Sequence, residues 1–223
     1  MTEPLAKRRY GGMAGHERAA ARREKFLQTG LELFGTLGYT ASTIEILCEH
    51  AGLVKRYFYE SFTDRADLFR CVYDAQIQRL QEVMLDAVLS AGPSIEEQIR
   101  VAVPTFVRSL AQDERVARIV FLEVFMTGAA MQARWQEARM GFADFLADTV
   151  TRALGTPRST RIEMGTLMLV GAVSDLMTYR ATGSLKVDID EIAAISIEHF
   201  EVFYHRFLSE LEEPVANEDR RLR

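Results

Sequence analysis

Residues 51–69 read AGLVKRYFYESFTDRADLF. The stretch holds a glycine, a Lys-Arg pair and five aromatic residues, and it is too short to form a core by itself. Ala51-Gly52-Leu53 separates two segments that each scan as a helix of about two turns, 43–50 and 54–60. Helices that short persist only when packed on neighbours. Two of them joined by a tight turn containing glycine form a helix-turn-helix, with Gly52 supplying the left-handed backbone at the reversal. The apolar positions Ile44, Leu47, Ala51, Leu53, Phe58 and Phe62 form the inner face, packed on Phe26, Leu31 and Phe34. Lys55, Arg56, Tyr57 and Glu60 are then left outward. Lys and Arg neutralise phosphates or bridge a guanine edge, and tyrosine offers a hydroxyl and an apolar ring, so this face suits the major groove of DNA.

The rest of the chain scans at the helical period, and no segment alternates with the period of a strand. Stripes such as Phe69-Val72-Tyr73-Gln76-Ile77-Leu80 and Ile95-Ile99-Ala102-Val103-Phe106 predict an all-α fold of about nine helices. They are expected at 17–36, 43–50, 54–60, 64–90, 94–111, 114–127, 130–154, 158–182 and 189–211. Start signals at Ser42-Thr43-Ile44-Glu45, Ser94-Ile95-Glu96-Glu97 and Asp188-Ile189-Asp190-Glu191 place a capping oxygen before a carboxylate. The expected organisation is a mobile basic arm at 1–15, a DNA-binding domain at 16–66, an effector-binding and dimerisation domain at 67–211 and a mobile tail at 212–223.

Charge is divided unevenly along the 223 residues. Residues 1–70 carry 11 Lys/Arg against 9 Asp/Glu, whereas 71–223 carry 16 against 23. A basic N-terminal contact surface on an acidic body follows from that asymmetry. The arm residues Lys7, Arg8, Arg9 and Arg18, with Arg22 and Arg23, are expected along a DNA backbone or in an adjacent minor groove. No apolar run follows the basic start, so no secretory signal is read there, and no stretch of about 18 uncharged apolar residues predicts a membrane span. Two cysteines without a pairing framework suit a reducing, cytoplasmic setting.

Residues 22–69, RREKFLQTGLELFGTLGYTASTIEILCEHAGLVKRYFYESFTDRADLF, resemble the DNA-binding domain of the TetR family of transcriptional regulators. The resemblance is carried by LFGTLGYTASTI, Ile46, Ala51-Gly52, Tyr59, Phe62, and Arg65 before Asp67-Leu68-Phe69. By position it implies that Ser42 and Thr43, at the start of the second helix, meet a phosphate. It likewise implies that Tyr59 and Arg65 touch the DNA backbone and that Lys55, Arg56 and Tyr57 lie at base edges. Two departures stand out: Val54 replaces the usual small hydroxyl cap of the third helix, and Arg56 and Tyr57 are bulkier than the residues common there.

The body has its own expected tasks. Apolar residues on more than one face of the last two helices predict burial on two sides. Leu169, Val173, Leu176, Ile192, Phe200, Phe203 and Phe207 are the expected homodimer seam, the resemblance implying a four-helix bundle; a larger monomeric core is the plainer alternative. A small-molecule effector, expected to be apolar, is assigned to a cavity among Phe106, Phe121, Phe125, Met126, Trp135, Phe142, Met164 and Met168. Glu123 and Asp175 sit in apolar runs and could orient a polar ligand group; ordinary core packing and structural ion pairs are the alternatives. The helix at 64–90 is the expected carrier of the effector signal.

Nothing points to catalysis. His16, His50, His199 and His205 are scattered, and no phosphate loop, HExxH or GxSxG occurs. No enzyme activity, cofactor or metal is expected. The sequence therefore predicts a ligand-responsive repressor that binds a palindromic duplex operator as a homodimer. Its rival is a helical-bundle enzyme or carrier for apolar molecules that never touches DNA.

Overall fold

The computed structural model describes residues 11–212, with side chains described over 15–209. Lys7, Arg8 and Arg9 of the expected arm, and the expected tail beyond Glu212, lie outside the described residues. Among those described there are nine α-helices and no strand: α1 (Gly11–Thr36), α2 (Ile44–Ala51), α3 (Lys55–Ser61), α4 (Arg65–Ser90), α5 (Ile95–Gln112), α6 (Glu114–Phe121), α7 (Ala129–Leu154), α8 (Thr160–Ala181) and α9 (Ile189–Glu212). The all-α fold is as the periodicity predicts. The chain divides into two compact units between Asp74 and Ala75, within α4.

The first unit closes on aromatic rings. Phe26, Phe34, Phe58 and Phe69 are fully buried. Phe26 meets Phe58 and Phe62 edge-on at 5.4 and 6.2 Å, and Phe34 meets Phe69 at 5.2 Å. Such pairs add roughly 0.5–1.5 kcal/mol each beyond their buried area. α1 approaches α4 closely at Gly30, where an added Cβ would come within 2.9 Å of Val72 Cγ2. Thr43 caps α2, its Oγ1 accepting from the Ile46 N–H at 3.3 Å. Gly52 ends α2 at φ 59°, ψ 34°, the left-handed conformation that glycine adopts without penalty. α3 then starts at Val54, which makes no side-chain cap.

The second unit packs α5 against α9 and α7 against α8. Its main core joins Ile95, Ile99, Ala147, Val150, Ile162, Phe200 and Tyr204. Ser94 and Glu97 form the predicted reciprocal cap at the start of α5. Arg158, before α8, bonds Asp144 and Asp148 of α7 and Glu163 of α8. One expected helix is broken: 114–127 ends as α6 at Phe121. Leu122 turns out at φ −122°, ψ −59°, and a 3₁₀ turn follows over Glu123–Met126. The break sends Val124 into the core while the Glu123 carboxylate folds back to accept from Arg118 Nε at 2.8 Å.

Candidate nucleic-acid interface and effector region

α3 buries Phe58 and, just beyond its end, Phe62. A helix anchored on those two residues must present the intervening positions to solvent. Lys55, Arg56 and Tyr59 are accordingly exposed, and the Arg56 side chain is 83% accessible. Tyr57 is half-buried because the Arg22 guanidinium lies over its ring, 4.2 Å from the centroid. Arg22 also reaches Glu60 at 3.3 Å, and Glu60 receives Arg56 Nε at 3.1 Å. Lys55 bonds Glu45 of α2. That bond raises the lysine's pKa and holds the Glu45 carboxyl below its ordinary range. Exposed pairs of this kind contribute little, so these cations stay available to a competing anion. The sequence marks Glu45 only as a capping carboxylate and Glu60 only as an outward residue, although Arg56 and Glu60 stand at the i,i+4 spacing that favours pairing.

Two expected contacts are corrected by their burial and bonding. Ser42 is fully buried, its Oγ donating to the Gly38 carbonyl at 2.7 Å, so the hydroxyl faces the protein interior. Arg65 lies over the Tyr39 ring at 4.1 Å and donates from Nη1 to the carbonyls of Thr40 and Ser42 at 3.3 and 3.4 Å. It braces the loop that leads into α2. Thr43 remains exposed at the start of α2 while its oxygen serves the cap. Arg23 is exposed, 5.0 Å above the Phe62 ring and 3.3 Å from Cys71 Sγ.

Residues 26–72 match the family model described as bacterial regulatory proteins, tetR family. Residues 26–72 are thus those of a TetR-type DNA-binding region. The chain is 23% identical over 169 residues to the HTH-type transcriptional activator FasR of Mycolicibacterium smegmatis, covering 76% of each chain. Its fold is similar to that of the transcriptional regulator FadR from Bacillus subtilis, solved in complex with stearoyl-CoA (TM-score 0.68, 16% identity, 81% of this chain and 97% of that one). It is similar to the same degree to the fatty acid degradation regulator FadR from Bacillus halodurans (TM-score 0.68, 14% identity, 79% and 93%). At these identities the two structures speak for the fold alone.

In the second unit the expected effector residues fall into two groups. Phe106 and Phe142 meet at 5.1 Å, Phe125 and Trp135 also at 5.1 Å, and Phe121 is buried beside them in sequence. Phe125 is itself 37% exposed, and Met126, Met164, Met168 and Asp175 are exposed as well. The buried residues Ile162, Thr166, Ser174 and Met177 define the inner side of α8, and Met164, Met168 and Asp175 lie round the helix from them. Glu123 is buried but paired with Arg118, so it is a structural ion pair. Among the described residues, no group of three His, Cys, Asp or Glu could hold a metal ion, and no helix is long and apolar enough to cross a membrane.

The expected seam is likewise divided. Ile192, Phe200 and Phe207 are buried in the chain's own core. Phe203 lies on α8, where a Cβ added at Gly165 would come within 1.8 Å of its ring. These residues join α9 to its own chain. Leu169, Val173 and Leu176 are half-buried. The large apolar residues left outside on these helices are Met164, Met168 and Tyr179 of α8 and Ile195 and Val202 of α9. Beside Val202 a shallow open groove runs along α9, lined by Glu198, Glu201, His205, Arg206 and Ser209.

Proposed function

We propose that this protein is a one-component transcriptional repressor. It binds a palindromic duplex operator as a homodimer and releases it when a small molecule with a long apolar chain occupies the second unit. The observation that carries the DNA reading is α3 itself. Its buried Phe58 orients Lys55, Arg56 and Tyr59 outward from a helix-turn-helix whose aromatic core leaves little play. Lys55 and Arg56 meet base edges and phosphates, Tyr59 and Thr43 a phosphate, and Arg22 and Arg23 the flanking backbone. The exposed apolar residues of α8 and α9 form the twofold seam, a patch of the kind that marks an interaction site.

The effector reading is supported by the aromatic pairs Phe106–Phe142 and Phe125–Trp135 and by the stearoyl-CoA named with one structural relative. A fatty acyl compound is therefore the proposed effector class. The decisive experiment selects operator fragments from genomic DNA and measures binding by fluorescence anisotropy across salt concentrations. Affinity falls by orders of magnitude between about 50 and 200 mM salt if several phosphates are neutralised. Neutralising Lys55 and Arg56 together abolishes specific binding. A flat salt response would return the chain to the rival reading, a helical carrier of apolar molecules.

A further inference from the structure

Trp135, Arg139, Phe142 and Leu146 recur along α7 at the three- and four-residue spacing of a single helix stripe. Phe142 is buried and the other three are half-buried, so this is an inward stripe, and an arginine interrupts it. The Arg139 guanidinium carbon lies 4.5 Å from the Trp135 ring centroid. Its Nη2 lies against α8 at a bare piece of backbone, where a Cβ on Gly171 would come within 2.9 Å. Its Nε is buried, and among the described residues nothing accepts its hydrogen. The neighbouring inward charge, Glu123, belongs to Arg118. Asp175, one turn beyond Gly171 along α8, is exposed, and among the described residues no carboxylate pairs with Arg139.

A guanidinium stays charged at any pH a protein survives, and each buried N–H without an acceptor is costly. The ring of Trp135 stabilises the cation through its face but accepts none of its in-plane donors. An oxyanion supplies what is missing, because the planar fork of arginine matches a carboxylate or phosphate. The Phe125 ring, packed on Trp135 and partly exposed, adds apolar surface next to the cation. We propose that Arg139 anchors the anionic group of the effector, whose apolar chain lies over Phe125 and Trp135. The effector is then an amphipathic oxyanion, and a neutral lipid of equal length is discriminated against. This rests on the acyl-effector reading above and adds the charge to it.

The test titrates the full chain by calorimetry with dodecanoate, dodecanoyl-CoA and 1-dodecanol. The first two carry a carboxylate and phosphates respectively, and the third has the chain without the charge. Both anions, or the one that is the natural source, bind at least about tenfold more tightly than the alcohol, as a charge-assisted fork contact implies. Arg139→Met removes that advantage and leaves 1-dodecanol binding unchanged, whereas Arg139→Lys keeps part of it. Loss for dodecanoate alone points to a free acid, loss for dodecanoyl-CoA alone to a phosphate ester. Operator binding without ligand, unchanged in both variants, shows that they fold. Equal affinity of the alcohol and the anions overturns the anchor while leaving the acyl effector standing. Binding of both anions unaltered by Arg139→Met also overturns it, and if none of the three compounds binds, the acyl reading falls with it.

Discussion

Several arginines lie over aromatic rings, and two of them, Arg65 in the first unit and Arg139 in the second, differ in a telling way. Arg65 covers Tyr39 and spends a nitrogen on two loop carbonyls. Arg139 covers Trp135 with a buried nitrogen that nothing accepts. The first unit braces Arg65 internally and turns Lys55 and Arg56 outward, each within reach of a carboxylate. The second leaves a cation half inside and a row of methionines outside. A domain that reads DNA needs a rigid shape before its partner arrives. A domain that senses a ligand and joins a second copy leaves its last contacts to be made by them.

The comparison breaks most severely if the rigid unit is hollowed. Phe58→Ala removes a ring in contact with Phe26, Tyr59 and Phe62. Stability measured by chemical denaturation should fall by about 3–5 kcal/mol, with operator binding lost.

A pair of charge insertions on α9 sharpens the contrast between inward and outward apolar residues. Phe203→Glu places a carboxylate on the Gly165 backbone and should cost several kcal/mol of the order reported for unpaired buried charge, about 3–5. Val202→Glu, at a residue 72% exposed, should leave unfolding within about 0.5 kcal/mol while sedimentation shows monomer. A dimer that survives Val202→Glu together with Met168→Glu moves the seam off these helices.

The two arginines make the next test. Arg65→Ala strips the Thr40 and Ser42 carbonyls of a charged donor and should destabilise by about 1.5–3 kcal/mol per lost charged bond at most. Arg139→Met removes an unsatisfied donor and should cost nothing in denaturation, or add up to about 1 kcal/mol. Equal losses would erase the distinction drawn here.

The smallest effect concerns acid. The Thr63 N–H, and then Arg70, hold the Asp67 carboxyl below its ordinary range. A depressed pKa contributes stability above the unfolded value, about 4, and loses it as pH falls through the folded value. Asp67→Asn should therefore lower stability at pH 7 by less than about 1 kcal/mol and leave the mutant and parent alike once the parent's Asp67 carboxyl is protonated in both the folded and the unfolded chain. A difference that grows toward low pH contradicts the assignment.

The reading head was legible because its constraints are local. Gly52 between two very short helices admits few arrangements, and burying Phe58 leaves no freedom for Lys55 and Arg56. The roles of Ser42 and Arg65 were not legible, since a hydroxyl or a guanidinium beside a DNA-facing helix reads the same in sequence whether it points to a loop carbonyl or to a phosphate. In the body, α8 is apolar on several sides. Met168 and Met177 therefore look alike to any periodic scan, though one is exposed and the other buried. Phe203 was misplaced for a related reason: only the packing shows that Gly165 leaves room for its ring. For Arg139 the signal in the sequence is a basic residue in an otherwise inward stripe.

The missing cap at Val54 has a temporal consequence. Without a side-chain acceptor, the first turn of α3 is held mainly by Phe58 behind it, and Tyr57 N–H reaches only the Val54 carbonyl, at 2.9 Å. The amides of Lys55 and Arg56 should then exchange with solvent deuterium early, through brief local openings, while those of the buried helices persist. DNA bound against that turn would lengthen those lifetimes. The aromatic core would thus fix the shape beforehand, and only this first turn would gain order on contact.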